Sequence, residues 1–286
     1  MSWAAHEFEN YLVQRHAGVR VSFFAIVVGT QLPDMLTKYF AYISDEPARF
    51  HRGWPGLGFT HSFTFGLAVA GIVLATTRSR PWALGLLLGQ GAHVLADLGD
   101  TAGVMPFFPF SSEPVSFGMW KHAAVAGRYG DAAAYYSSLG VVWDMLWLGL
   151  TLLLARRALT AAYFRTTIVP ADPHVWAWLH RRLQLGPDGL LLLYRGLFFY
   201  GVARMTVWFL YARTGAHTPF QPVWGGPDYL PVGVDLSAAG WTEVLLRTAT
   251  GGVLFAGFAW VAWRAFGRRL WERAASPAIA TSPAAA

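Results

Sequence analysis

Residues 59–100 read FTHSFTFGLAVAGIVLATTRSRPWALGLLLGQGAHVLADLGD, and the reading of this stretch decides the fold. Two apolar runs, Phe59–Thr77 and Trp82–Leu98, flank a basic turn, Arg78-Ser79-Arg80-Pro81. Each run approaches the ~20 residues with which a helix crosses a bilayer. The tight turn makes them a hairpin, so the start of the first and the end of the second lie at one level. Those two places carry His61 and the pair His93/Asp97. Residues four apart on a helix share a face, about one turn apart, so His93 and Asp97 can hold one metal ion. A His–Asp hydrogen bond joining two helices satisfies the same spacing. Gly89, Gly91 and Ala92 allow a neighbouring helix to come close.

Outward from the hairpin the pattern repeats. Further apolar runs cover Leu139–Ala155, Leu190–Tyr211 and Val244–Trp263, with a shorter one at Val19–Pro33. The 286 residues are 55% apolar and 13% charged, with mean hydropathy +0.36. Soluble domains are about 25% charged, so an ordinary soluble fold is excluded. Fourteen Trp and eleven Tyr, many at the ends of the runs, fit aromatic belts at a lipid–water boundary. The expectation is an all-α, polytopic helical membrane bundle with about five to six transmembrane helices. Residues 1–155 form its helical core, residues 156–273 an interfacial helix plus C-terminal spans, and residues 274–286 a disordered tail.

The net charge of +6 comes from Arg residues flanking the runs, where they anchor helices, and no basic stripe marks a nucleic-acid partner. If Val19–Pro33 spans, Lys/Arg counting favours both termini on the cytoplasmic side; if the first two segments fold back as a hairpin, the N-terminus lies outside. Cysteine is absent, which excludes disulfides and thiolate metal sites. The first residues carry acids rather than the basic region of a cleavable signal. Ser2–Gln14 reads as an amphipathic helix, and Gly18 suits the positive φ of a turn after it.

Ionisable residues in or beside spans are costly and are functional candidates for that reason. Asp34 ends the Val19–Pro33 run, and chain alternation brings it to the membrane face of His61, His93 and Asp97. Asp144 lies about two turns into the fourth run from that face. His6 joins the same level if the first two segments fold back on each other. Imidazoles with carboxylates and no thiolate suit zinc, with manganese or iron as alternatives. An ion of this kind activates water and polarises carbonyl or phosphoryl oxygens, so hydrolysis is the reaction class that follows.

The same residues carry a resemblance. Leu32-Pro33-Asp34, His51-Arg52-Gly53, Phe59-Thr60-His61-Ser62 and His93-Val94-Leu95-Ala96-Asp97 through Ala102-Gly103-Val104 resemble the YdjM-type membrane-bound metal-dependent hydrolases. The match covers roughly the first 110 residues. It implies a metal-dependent hydrolase of the inner membrane without supplying a substrate. The order Trp3, His6, Asp34, His61, His93, Asp97 is more loosely similar to zinc-dependent phospholipase C. The sequence departs from the first family at Pro33-Asp34-Met35-Leu36, which lacks a second carboxylate. Trp54–Gly58 interrupts the His-Arg-Gly and Phe-Thr-His-Ser pieces, and Asp100 stands in place of a threonine, as an added ligand or a helix-end cap.

The expected metal ligands are thus His6, Asp34, His61, His93 and Asp97. Asp144 is expected to orient water or add a ligand, and Arg52 to steady a phosphate or carboxylate. A site at the membrane face points to an amphiphilic ester or phosphoester, with membrane lipid as the surrounding partner. The alternative is a non-catalytic metal-binding membrane protein or a transporter. Ser62 reads as a helix cap rather than a nucleophile.

Overall fold

The computed structural model describes residues 3–43, 59–121, 130–226 and 264. The sixth apolar run, the tail, His51 and Arg52 lie outside the described residues. Among the described residues the architecture is all-helical, with two isolated bridges, Asp100 to Trp120 and Val104 to Val115, inside a loop.

Eight helices of six or more residues organise it: α1 Ala5–Ala17, α2 Phe23–Ile43, α3 Phe63–Thr77, α4 Arg80–Ala96, α5 Gly130–Tyr135, α6 Leu139–Leu154, α7 Pro173–Leu183 and α8 Pro187–Leu210. A π-helical turn, Tyr211–Gly215, continues α8. The combined segment Pro187–Gly215 is long and apolar enough to cross a membrane. Phe23–Met35, Phe63–Thr77 and Leu139–Leu154 are shorter apolar helices.

Local chemistry sets the boundaries. The Ser62 hydroxyl accepts from the Phe65 N–H at 3.2 Å and caps α3, as the sequence suggests. Arg78 closes α3 in the left-handed conformation, with its N–H on the Leu74 carbonyl, and Pro81 starts α4. Gly18 follows α1 with φ 64°. At Pro33 the structure corrects the sequence reading. The helix does not end there but continues through it to Ile43, with the proline inside α2.

Packing is centred on the pairing of α2 with α4, and glycine makes their approach possible. A Cβ added at Gly89 would lie 2.3 Å from the Ile26 carbonyl oxygen, and one at Gly29 would lie 2.5 Å from that of Leu86. Gly91 has only a 3.9 Å neighbour, so it is not part of this close contact.

The N-terminal helix is also more central than its mixed composition predicts. Its polar residues His6, Glu7, Glu9, Asn10 and Gln14 are buried along with Phe8 and Tyr11. It crosses the bundle between α2 and α4 on one side and α6 and α8 on the other. Both faces are covered, so burial replaces the expected surface face.

The segment after Arg156 is likewise only partly a surface element. Trp176 of α7 is buried against Phe24 and Phe164, whereas Trp178 remains exposed. The Asp172 carboxylate before α7 accepts from the Phe23 N–H at 2.9 Å, so this segment caps the start of α2.

Candidate metal centre

Four elements meet at the site. α1 supplies His6, α2 supplies Asp34, the 3-10 turn Phe59–His61 supplies His61, and the end of α4 supplies His93 and Asp97. All five side chains are buried, three of them completely. The structure therefore brings together the five residues that the sequence singles out as ligands, including His6, whose placement depends on α1 folding back.

Asp97 is the hub. Its Oδ1 lies 3.5 Å from His6 Nε2, and its Oδ2 lies 3.5 Å from His61 Nε2 and 3.4 Å from His93 Nε2. Asp34 Oδ1 lies 3.6 Å from His61 Nε2. N–H···O hydrogen bonds run 2.7–3.2 Å, so these separations are too long for good ones. They match a different geometry. Ligand atoms about 2.1 Å from a tetrahedral ion stand about 3.4 Å apart along each edge.

The opposite ring nitrogens explain which atoms face inward. His93 Nδ1 lies 2.6 Å from the Thr30 carbonyl, to which it can only donate, so neutral His93 presents a lone pair at Nε2. His6 Nδ1 lies 3.0 Å from Glu9 Oε1, and His61 Nδ1 lies 3.1 Å from the Thr60 hydroxyl. Each inward nitrogen is thus backed by a partner on the other side of its ring, the usual outer support of a metal-bound histidine. His6 Nε2 and His93 Nε2 are buried and make no hydrogen bond. An unsatisfied buried polar atom costs about 1–3 kcal/mol, and a cation between these nitrogens and Asp97 removes that cost.

The support extends outward. Asn10 donates to the His6 carbonyl and accepts from the Thr30 hydroxyl at 2.9 Å, tying α1 to α2 behind the histidines. Gln90, one turn before His93, donates to the Ser62 carbonyl at 2.7 Å and so holds the turn carrying His61. Trp143 Nε1 donates to the Ala96 carbonyl at 2.9 Å, which steadies the end of α4 beside Asp97. The rings of His6 and His93 stack 3.9 Å apart, 11° from parallel.

Two groupings of ligand-type residues result: Asp34, His61, His93 and Asp97, and separately His6, Glu9 and His93. His93 cannot serve both through two nitrogens, because its Nδ1 is committed to Thr30. The Nε2 atoms are the ones that can hold a metal ion, while Thr30 backs His93 and Glu9 backs His6 at Nδ1.

Asp144 has a different place from the one expected. Its Oδ1 accepts from the Ala5 N–H at 3.1 Å and the Tyr135 hydroxyl at 2.9 Å. Its Oδ2 accepts from the Ala4 N–H at 3.0 Å and the Tyr136 hydroxyl at 2.9 Å. A carboxylate has about four acceptor sites, and these four donors fill them, which leaves no lone pair for orienting water. Asp144 instead pins the start of α1 and with it His6. Asp100 accepts from the Gly103 N–H at 3.0 Å within its own loop. Arg204 pairs with Glu7 at 2.9 Å, with its guanidinium over the Trp3 ring. Arg52, expected to bind an anion, lies outside the described residues.

Sequence reasoning passes over Glu9, Asn10, Thr30 and Gln90. The last two carry a visible signal, since each is a polar residue inside an apolar run. Glu9 follows His6 by three positions, a helical neighbour of it.

Residues 4–166 match the model of the YdjM inner membrane protein family, and the chain belongs to that family. The family points to the inner membrane. No curated protein and no solved structure matches the chain.

Proposed function

We propose that this member of the YdjM inner membrane protein family is an integral-membrane metal-dependent hydrolase, with one or two ions held by His6, Asp34, His61, His93 and Asp97. The observation that carries the reading is the set of three imidazole Nε2 atoms at 3.4–3.5 Å from one buried carboxylate, each ring backed at Nδ1. Nitrogen and carboxylate ligands favour zinc, with manganese or iron as alternatives. When bound, such an ion polarises a carbonyl or phosphoryl oxygen and brings the pKa of coordinated water to about 7. The two aspartates balance its charge, the histidines fix its position, and the buried walls exclude bulk water.

The bundle is read as multi-pass, with five to six spans built from α2, α3, α4, α6, α8 and the Val244–Trp263 run. Exposed Leu67, Ile72 and Leu74 on α3, and Met145, Leu152 and Leu153 on α6, support lipid-facing sides. These two helices have 15 and 16 residues and cover about 22–24 Å. The shortfall against a ~30 Å hydrocarbon core is met by local thinning of the bilayer and by flanking anchors. A site enclosed by such helices suits an amphiphilic ester or phosphoester drawn from the lipid phase.

The burial of every ligand favours one second reading, a non-catalytic metal-binding membrane protein or transporter. The test uses the full chain purified in detergent, first stripped with chelator and then reloaded with zinc, manganese or iron. It is assayed on phospholipid, carboxylic-ester and phosphomonoester lipids. Turnover that appears on reloading and is absent in Asp97→Asn supports the hydrolase. A metal-loaded protein inert on all three classes overturns it and leaves the second reading.

A further inference from the structure

The role of Glu9 goes beyond the ligand set. Its side chain is fully buried in α1, one turn from His6. Its Oε1 lies 3.0 Å from His6 Nδ1, while its Oε2 is buried and makes no hydrogen bond. The Nε2 atom on the other side of the same ring faces Asp97. Among the described residues a backbone carbonyl backs His93, a hydroxyl backs His61 and a carboxylate backs His6.

We propose that Glu9 is a positioning residue that sets the metal affinity of the centre by acting through His6, a role that rests on the metal reading above. The carboxylate performs two tasks at once. It selects the tautomer that carries the proton on Nδ1, which leaves the Nε2 lone pair for the ion. It also makes that nitrogen a stronger donor, because negative charge beside Nδ1–H favours positive charge developing on the ring as Nε2 coordinates. Holding the ring costs little further entropy, since the stacked His93 ring and the Asn10 bond to the His6 carbonyl already confine it. Its depth in the bundle keeps the interaction from being screened by water.

The backing residue of a metal-bound histidine is worth about 10–100-fold in affinity. The test measures zinc dissociation constants on the full chain in detergent by competition with a chromophoric chelator. Wild type, Glu9→Gln, Glu9→Asp, His6→Ala and the double variant Glu9→Gln/His6→Ala are compared. Glu9→Gln keeps the size of the side chain and is expected to weaken zinc by about 10–100-fold, with Glu9→Asp between it and wild type. In the His6→Ala background the same change is expected to alter affinity by less than about 2-fold, because the route through which it acts is gone. A merely structural role would lower affinity equally in both backgrounds, and that result overturns the proposal. Unchanged zinc affinity in Glu9→Gln overturns it as well while leaving the metal centre standing. A wild type that binds no zinc, manganese or iron removes the centre and the proposal together. If Glu9→Gln fails to fold, as judged by size-exclusion elution, Glu9→Asp with and without His6 carries the same comparison.

Discussion

Replacing Asp97 by Asn tests the centre most directly, because the change keeps the shape of the side chain and removes its charge. The three inward nitrogens, those of His6, His61 and His93, all face this carboxylate at 3.4–3.5 Å. Fully protein-held zinc is worth about 10–16 kcal/mol. Divided over five ligands, that gives about 2–3 kcal/mol for one of them, or roughly 30–200-fold in affinity. At a fixed metal concentration well above both dissociation constants, the same amount disappears from the stabilisation that metal confers on the fold. For a chain of this size, about 2–4 °C of melting temperature accompanies each kcal/mol, so the metal-induced shift should shrink by about 4–12 °C. The assay is thermal unfolding in detergent, with and without added zinc, beside elemental analysis of the purified protein. Comparing shifts rather than melting points removes any direct effect of the substitution on the metal-free fold. If Asp97→Asn retains stoichiometric metal and the full wild-type shift, the convergence on Asp97 does not form a metal centre.

Two further substitutions separate roles that the sequence merges. Asp144→Ala leaves two N–H groups and two tyrosine hydroxyls without their acceptor, so it should lower the melting temperature of the chelated protein by at least about 6 °C, from about 3 kcal/mol or more. A variant that melted normally but lost turnover would restore Asp144 as a base and refute the pinning role. Gly89→Ala places a Cβ 2.3 Å from the Ile26 carbonyl oxygen, so α2 and α4 must separate at a cost of about 1–3 kcal/mol. Because those helices carry Asp34 and His93/Asp97, zinc affinity should fall in the same variant. Lowered stability with unchanged affinity would show that their spacing does not control the centre.

Much of this protein was legible in the sequence because the information is local or periodic. Low charge and long apolar runs announce helices, and the Arg78–Pro81 turn joins two of them. Ser62 is a cap by its place before an apolar run, and the four-residue step from His93 to Asp97 puts both on one helical face. Chain alternation then predicts that Asp34, His61 and the His93/Asp97 pair share one end of the bundle, since antiparallel neighbours return the chain to the same level. None of these inferences requires knowing which helix touches which.

What the tertiary structure decided is contact between elements distant in the chain. Pro33 marks a helix end by local chemistry, yet the structure carries α2 through it to Ile43. The first helix looks amphipathic in isolation; its polar face is buried because Thr30, Asp97 and Arg204 meet it there. In the sequence Asp144 reads as an acid in an apolar run, placed to orient water or add a ligand. Only folding shows that its lone pairs are filled by residues 139 and 140 positions earlier and by two nearby tyrosines. The sequence can nominate ligands because a metal restricts which residue types serve. Which nitrogen of each histidine faces the centre depends on Glu9, Thr30 and Thr60, and spacing along one chain does not encode that orientation.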